Sequence, residues 1–319
     1  MGSSGDDGYR LLNEYTNGFM VSQVGYALWD KQGNVYPQQT NMARQTTMAR
    51  VYLQQTTMAG VYPQQTTLAG VYLQQTTMAH VYQCNKPACS VHPSLSFLRE
   101  GKNQYLQTFG VPAEDLFTAI YRSEGERLQF MQALQEVWSV NGRSVLTAFD
   151  LSRFPLMCDL GGGPGALAKE CLSLYPGCKV TVFDVPEVVR TAKQHFSFPE
   201  EEDIHLQEGD FFKDPLPEAD LYILARILHD WADGKCSHLL ERVYHTCKPG
   251  GGILVIESLL DEDRRGPLLT QLYSLNMLVQ TEGQERTPTH YHMLLSSAGF
   301  RDFQFKKTGA IYDAILVRK

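Results

Sequence analysis

The chain has 319 residues, enough for one large domain or two ordinary ones, and a formal net charge of −7. The acidic balance argues against nonspecific nucleic-acid binding, and no run approaches the roughly 18 consecutive apolar residues that a membrane span needs. The start of the chain is polar and acidic, unlike a signal peptide, and seven scattered cysteines, an odd number, read as reduced thiols in a cytoplasmic protein.

In chain order, residues 9–24 place Leu11, Leu12, Tyr15, Phe19, Met20 and Val24 at helical spacing. That predicts a helix with one apolar face, which needs a partner surface to be stable. Residues 35–83 are a tandem repeat. Ten-residue units close to Val-Tyr-x-Gln-Gln-Thr-Thr-Met-Ala-x start at Val35, Val51, Val61 and Val71, with a truncated unit at 45–50 and a stub from Val81. This period matches none of the common helical solenoids. Low-complexity disorder, a β-rich stack and a helical stretch all remain open for it. His80, Cys84, Cys89 and His92 are zinc-ligand types, but their loop is shorter than zinc-finger spacings, and a plain linker is the competing reading. The chain thus divides into a helical segment 1–24, a repeat with its linker 25–93, and a globular region 94–319.

The globular region opens with a predicted helix at 112–121. A second helix begins near Ser123, where Ser123 and Glu126 have capping-box spacing, and its face includes Leu128, Met131, Leu134, Val137 and Trp138. An apolar run then stops at Asp159-Leu160, breaks into Gly161-Gly162-Gly163-Pro164-Gly165, and gives way to an apolar-periodic segment at 166–174. That pattern is strand, tight turn, helix. Further strands are predicted at 180–184, 204–210, 219–225, 251–258, 303–308 and 312–318, and helices at 186–195, 234–246, 267–280 and 289–298. Strands alternating with helices make a parallel sheet covered on both faces. The last two strands share a tight turn at Gly309-Ala310 and so must be antiparallel. The predicted class is α/β, a doubly wound, mostly parallel seven-stranded sheet with a C-terminal antiparallel hairpin.

Ligands of such sheets lie beyond the carboxyl ends of the strands, so the polar residues there are the candidates. No Lys-Ser/Thr pair follows the glycines, which excludes the phosphate loop of NTPases. Asp159 instead precedes Gly161, Gly163 and Gly165 at alternate positions. Asp184 ends the next strand, where an acid normally binds the ribose hydroxyls. On this motif alone, a structural turn or a dinucleotide site remains an alternative. Strand three ends in Gly209-Asp210-Phe211: an acid suited to an adenine amine, then an aromatic suited to stack on the ring. Strand four leads into Arg226-Ile227-Leu228-His229-Asp230-Trp231. His229 is the best general-base candidate, because imidazole accepts protons near neutral pH. A phenol, with a pKa of about 10, stays mostly neutral there and needs such help. A carboxylate would fix the ring's tautomer, and Glu257 at the end of strand five and Glu285 in the turn Gly283-Gln284-Glu285-Arg286-Thr287 are both placed for it. A buried structural histidine is the alternative, and no metal is implied.

The aspartate and its spaced glycines resemble motif I of class I S-adenosylmethionine (SAM) methyltransferases. Residues 97–319 resemble the plant-type small-molecule O-methyltransferase family. The carriers are Asp159 to Gly165, Gly209-Asp210-Phe211, Leu228-His229-Asp230-Trp231 and Gly283 to Thr287. The resemblance implies SAM as cofactor, lined by Tyr121, Trp138, Asp159, Gly161, Gly163, Asp184, Gly209, Asp210, Phe211 and Arg226. It implies His229 as the base, with Glu257 and Glu285 as its carboxylate neighbours. Asp230, Asn276 and Gln280 would contact a hydroxyindole or other phenol. Asn276 and Gln280 are four apart and share a helix face, a solvated face being the alternative. Family members form homodimers through a helical N-terminal domain. Here its first helix is recognisable, and residues 25–93 stand where the rest should be. Pro164, which has no N–H, stands where the family usually has a small residue. Two function classes follow: an active O-methyltransferase of a small molecule, with neither nucleic acid nor membrane as partner, or a non-catalytic SAM-binding or interaction protein derived from one.

Overall fold

The computed structural model of the chain describes residues 123–198 and 203–319. The helix expected at 9–24, the repeat, the histidine–cysteine window at 80–92, the helix at 112–121 and Tyr121 lie outside these residues. In chain order the elements are α1 (Glu124–Leu146), β1 (Leu156–Leu160), α2 (Ala166–Leu174), β2 (Lys179–Asp184), α3 (Pro186–His195), β3 (Ile204–Glu208) and β4 (Leu221–Ala225). A short 3-10 turn (Leu228–Asp230) follows, then α4 (Asp233–Thr246), β5 (Gly252–Glu257), α5 (Leu268–Gln280), α6 (Pro288–Ser297), β6 (Arg301–Lys306) and β7 (Asp313–Arg318).

The strands form one sheet in the order β3-β2-β1-β4-β5-β7-β6. The first five are parallel, and β7 runs against both β5 and β6. This is the doubly wound sheet with its antiparallel hairpin, and the last strand inserts between β5 and β6. Every residue of β4 and β5 is buried, as central strands covered on both faces require. One layer unites Leu239, Leu240 and Val243 of α4 and Tyr291, Leu294 and Leu295 of α6 with Tyr222, Val255, Ile315 and Val317 of the sheet. On a second, smaller patch Met131 of α1 meets Val188 and Ala192 of α3. β3 and β6 are the edge strands, and Arg301, Asp302, Gln304 and Lys306 make β6 a poor template for further pairing.

Several strand limits shift by one or two residues: β5 is shorter by one at each end, β6 lies two residues earlier than expected, and β7 starts one residue later. β3 stops at Glu208 rather than Asp210, because its ladder partner β2 ends opposite at Asp184. β4 starts at Leu221 rather than residue 219, where pairing with β1 begins. The sequence reverses direction across the sheet between β1 and β4, so the crevice at their carboxyl ends is the switch point where ligands settle. No described helix is long and apolar enough to cross a membrane. The described cysteines, Cys158, Cys171, Cys178, Cys236 and Cys247, are all buried free thiols.

Candidate active site

After β1 the backbone turns through Gly161 (φ 72°), Gly163 (φ 53°) and Gly165 (φ 70°), a left-handed region that side chains resist. The surroundings are as restrictive as the dihedrals. A Cβ on Gly161 would stand 2.5 Å from Ile227 Cδ1, and one on Gly162 would stand 2.6 Å from Asp159 Oδ2. Gly165 N–H donates to Gly162 O at 2.9 Å and closes the turn around Pro164. Asp184 reaches across from β2: its Oδ2 accepts from Gly163 N–H at 2.9 Å and its Oδ1 from Val185 N–H at 2.8 Å. The acid expected at a ribose therefore also ties the glycine loop to the start of α3.

Asp159 is buried beneath the loop, and its Oδ2 has no hydrogen-bond partner. Burial, and then the charge of Asp184, raise its carboxyl to about 7. Burial lifts Asp184 to about 6 against the two N–H groups that stabilise its ionised form. Two neighbouring carboxyls strained in this way suit a ligand that brings donors or positive charge.

Past β3, Gly209 lies so close to Phe183 that a Cβ would stand 2.3 Å from the ring. Asp210 spends its side chain locally: Oδ1 accepts from Phe212 N–H at 2.8 Å, and Oδ2 lies 2.9 Å from Lys213 Nζ. Phe211 is brought to the glycine loop, its ring edge 3.7 Å from the point a Gly161 Cβ would occupy. Phe211 and Phe212 meet edge to face at 4.8 Å, and Phe212 meets Trp231 the same way at 4.9 Å. Trp138 of α1 is buried with its ring 5.3 Å from Tyr312.

Beyond β4 and β5 lies a buried charged cluster. Arg226 adopts a left-handed φ of 58°, which no glycine relieves. Its Nη1 donates to Glu257 Oε2 and to Glu285 Oε2, each at 2.9 Å, and its Nη2 donates to Glu285 Oε1 at 2.6 Å. Tyr273 and Tyr312 carry their rings over the guanidinium at 5.6 and 5.4 Å. His229 joins through Nδ1, which is 3.3 Å from Glu285 Oε1 and 2.9 Å from Arg226 Nη2. Its backbone N–H donates to Glu257 Oε1 at 3.2 Å, and its Nε2 lies 3.5 Å from Asp230 Oδ1. The two glutamates thus divide the work: Glu285 faces the ring, and Glu257 holds the main chain and the arginine.

Arginine can only donate, so Nδ1 either accepts from Arg226 or carries the proton toward Glu285. Burial and Arg226 both push the His229 imidazole down, but Asp230, Glu257 and Glu285 together outweigh them and raise it. Burial opposes ionisation of Glu285, yet Arg226 and His229 bring it down to about 2. Glu257 and Asp230 are raised, chiefly by burial. One ligand atom each from His229, Glu257 and Glu285 would fit within 4.8 Å of the others, the only such metal-sized group among the described residues. The cation in that position is the Arg226 guanidinium.

Residues 95–301 match the family model of the O-methyltransferase domain. The chain belongs to this O-methyltransferase family. Acetylserotonin O-methyltransferase of Macaca mulatta is 75% identical over 347 aligned positions, covering 100% of both chains. The Homo sapiens protein of the same name is 69% identical with the same coverage. The crystal structure of human N-acetylserotonin methyltransferase in complex with SAM superposes with a TM-score of 0.75 at 64% identity, covering 100% of this chain and 99% of that one.

In this O-methyltransferase most of the described candidate residues lie in two groups at the carboxyl ends of the strands. Asp159, Gly161, Gly163, Asp184 and Phe211 gather at the glycine loop, and Arg226, His229, Asp230, Glu257 and Glu285 form the charged cluster. Asn276 lies on α5 one turn from Tyr273, on the face that meets Arg226, and is half-buried. Gln280 closes the same helix. Sequence reading missed Tyr273 and Tyr312, whose apolar-looking contexts hide rings packed on a buried cation. It also missed Arg286, which lay in plain view inside the quoted turn.

Proposed function

We propose that the chain transfers a methyl group from SAM to the hydroxyl of N-acetylserotonin, with His229 as general base. One observation carries the reading. His229 is buried at the end of β4 with Glu285 3.3 Å from Nδ1, in a chain 75% identical along its full length to an acetylserotonin O-methyltransferase. SAM, when bound, supplies an electrophilic methyl on a sulfonium that leaves as a neutral thioether. The residues fit such a group. Gly161 and Gly162 let the loop pack directly on Ile227 and Asp159, so that its backbone rather than side chains faces the crevice in this reading, and Asp159 Oδ2 is a buried acceptor lacking a partner. The ammonium of SAM would bring the donor and positive charge that Asp159 Oδ2 lacks. Asp184, Gly209, Asp210, Phe211, Trp138 and Arg226 complete the cofactor side in this reading.

The chain's own residues then handle the proton. His229 takes it from the substrate hydroxyl at Nε2, which requires the tautomer with hydrogen on Nδ1, facing Glu285. Glu285 stays ionised and stabilises the imidazolium, so charge forming on the ring meets a preset partner. Arg226 keeps the two glutamates from raising His229 without limit. Asp230, Asn276 and Gln280 would orient the substrate so that its oxygen meets the methyl carbon in line.

Calorimetric titration with S-adenosylhomocysteine (SAH), with and without N-acetylserotonin, tests the reading. Cofactor affinity that strengthens with the indole supports it. Binding that ignores the indole would favour a SAM-binding protein without this substrate, and no binding at all would overturn the cofactor assignment.

A further inference from the structure

The turn that carries His229 has only three residues, and its own hydrogen bonds are long: Asp230 N–H to Ile227 O at 3.2 Å and Trp231 N–H to Leu228 O at 3.3 Å. A turn this short does not hold a catalytic side chain in place by itself. Beside Glu257 Oε1 on the His229 N–H and the weak Cys236 thiol contacts to Leu228 O and Trp231 O, its support comes from Arg286, whose side chain is wholly buried. Nη1 donates to Leu228 O at 2.8 Å and Nη2 to Trp231 O at 2.7 Å, so one guanidinium grips the carbonyls on either side of His229 and Asp230. Nη2 and Nε donate to Asp233 Oδ1 at 2.7 and 2.9 Å, and Nη1 also reaches Gln284 O at 3.2 Å. All five N–H groups of the side chain are used, four of them on the turn and the first residue of α4 that follows it.

The same loop touches the turn again. A Cβ on Gly283 would stand 1.9 Å from His229 O, so the two backbones are in direct contact and only glycine fits. Between these points Glu285 faces the His229 ring. At the far end Thr287 Oγ1 accepts from His290 N–H at 3.2 Å and starts α6, which fixes the loop to the core.

We propose that Arg286 is a positioning residue for methyl transfer: it straps the His229 turn onto the loop of Glu285, so that base and orienting carboxylate move as one unit. The proposal rests on the reading of His229 as base. It assigns a task to a residue that touches neither substrate nor cofactor. Lysine cannot replace it, because an ammonium is a compact charge with three donors and cannot span two carbonyls and a carboxylate.

The test compares Arg286→Lys, Gly283→Ala, His229→Ala and the double variant Arg286→Lys/His229→Ala, all in the full chain with SAM and N-acetylserotonin. Misplacement of a catalytic group by about 1 Å lowers turnover by roughly 100-fold. Arg286→Lys is therefore expected to lose ~10–100-fold in kcat, while SAH affinity stays within about twofold of the parent. Gly283→Ala pushes the turn from the opposite side and should show the same split; should these variants fail to fold, Asp233→Asn, which removes the charge of the half-exposed carboxylate held by the same guanidinium, decides the matter by the same split. In the double variant the lysine should add nothing to the loss caused by His229→Ala, since coupled residues are not additive. Unchanged kcat in Arg286→Lys, or kcat and SAH affinity falling in parallel in both single strap variants, would overturn the proposal. Turnover retained by His229→Ala would instead remove the base assignment, and the two failures are told apart by that variant alone.

Discussion

Replacing Glu285 with glutamine keeps the shape of the cluster and removes one charge. Glu285 accepts from both terminal nitrogens of Arg226, at 2.9 and 2.6 Å, and lies 3.3 Å from His229 Nδ1, with its side chain fully buried. The glutamine oxygen can accept from one of these donors, and its NH2 must then face another donor. Breaking a buried ion pair on one side is worth about 3–5 kcal/mol. For a domain of this size that lowers Tm by about 10 °C. The effect on turnover is separate, because the proton on Nδ1 loses its acceptor and the imidazolium its counter-charge. We expect kcat to fall ~10²–10⁴-fold, the range of general-base loss. Glu285 is one of the carboxylates that raise His229, so any residual activity should have its acid limb at lower pH than the parent. Initial rates with SAM and N-acetylserotonin across pH, beside thermal melts and SAH titration, separate these effects. A lower Tm with unchanged kcat would refute the reasoning and leave Glu285 a structural residue.

Three further expectations follow from the same geometry. In the parent, Asp230, Glu257 and Glu285 raise His229, so the acid limb of kcat should lie above the ordinary imidazole value of 6.5; a limb below that value contradicts the electrostatic picture. Asp159 and Asp184 have folded-state values of about 7 and about 6, both above the unfolded 3.8. Their protonation therefore favours the ligand-free fold below about pH 4, and this contribution is lost as pH rises to about 7. Asp159→Asn should flatten that decline in thermal melts between pH 4 and 8, and an unchanged slope would show that Asp159 ionises normally. Gly209→Ala would set a methyl 2.3 Å from the Phe183 ring. Overpacking of this kind costs about 1–3 kcal/mol and displaces the loop of Phe211, so KM for SAM should rise more than kcat falls. Equal KM values would remove Phe211 from the cofactor side.

The sheet was legible because its central strands are nearly continuous apolar runs set between glycine, proline and acidic residues. β4 and β5 read as strands from their own letters, and Pro186 marked the first turn of α3, whereas α6 starts at Pro288, one residue before the expected helix. Strand limits slipped by about two residues, since a strand ends where its neighbour stops pairing and no local signal records that. The candidate residues were legible one at a time as polar groups at strand ends. Their mutual contacts were not: Arg226 meets Glu257 and Glu285 across 31 and 59 positions of chain. Nothing in a single sequence announces a left-handed, mostly buried arginine in contact with two tyrosine rings. Asp184 was foreseen as a ligand group, but its grip on Gly163 N–H depends on how the loop curls over β2. Arg286 was quoted as part of a motif without a task, because its task is defined by carbonyls of a turn that lies 55 and 58 positions away.

The most direct test measures methyl transfer from SAM to N-acetylserotonin by the full chain and by His229→Ala, with SAH titration of both. The account predicts turnover by the parent, loss of turnover in the variant, and SAH affinity that is the same in the two. Turnover by His229→Ala within a few-fold of the parent would contradict it and pass the role of base to Asp230, whose Oδ1 lies 3.5 Å from His229 Nε2.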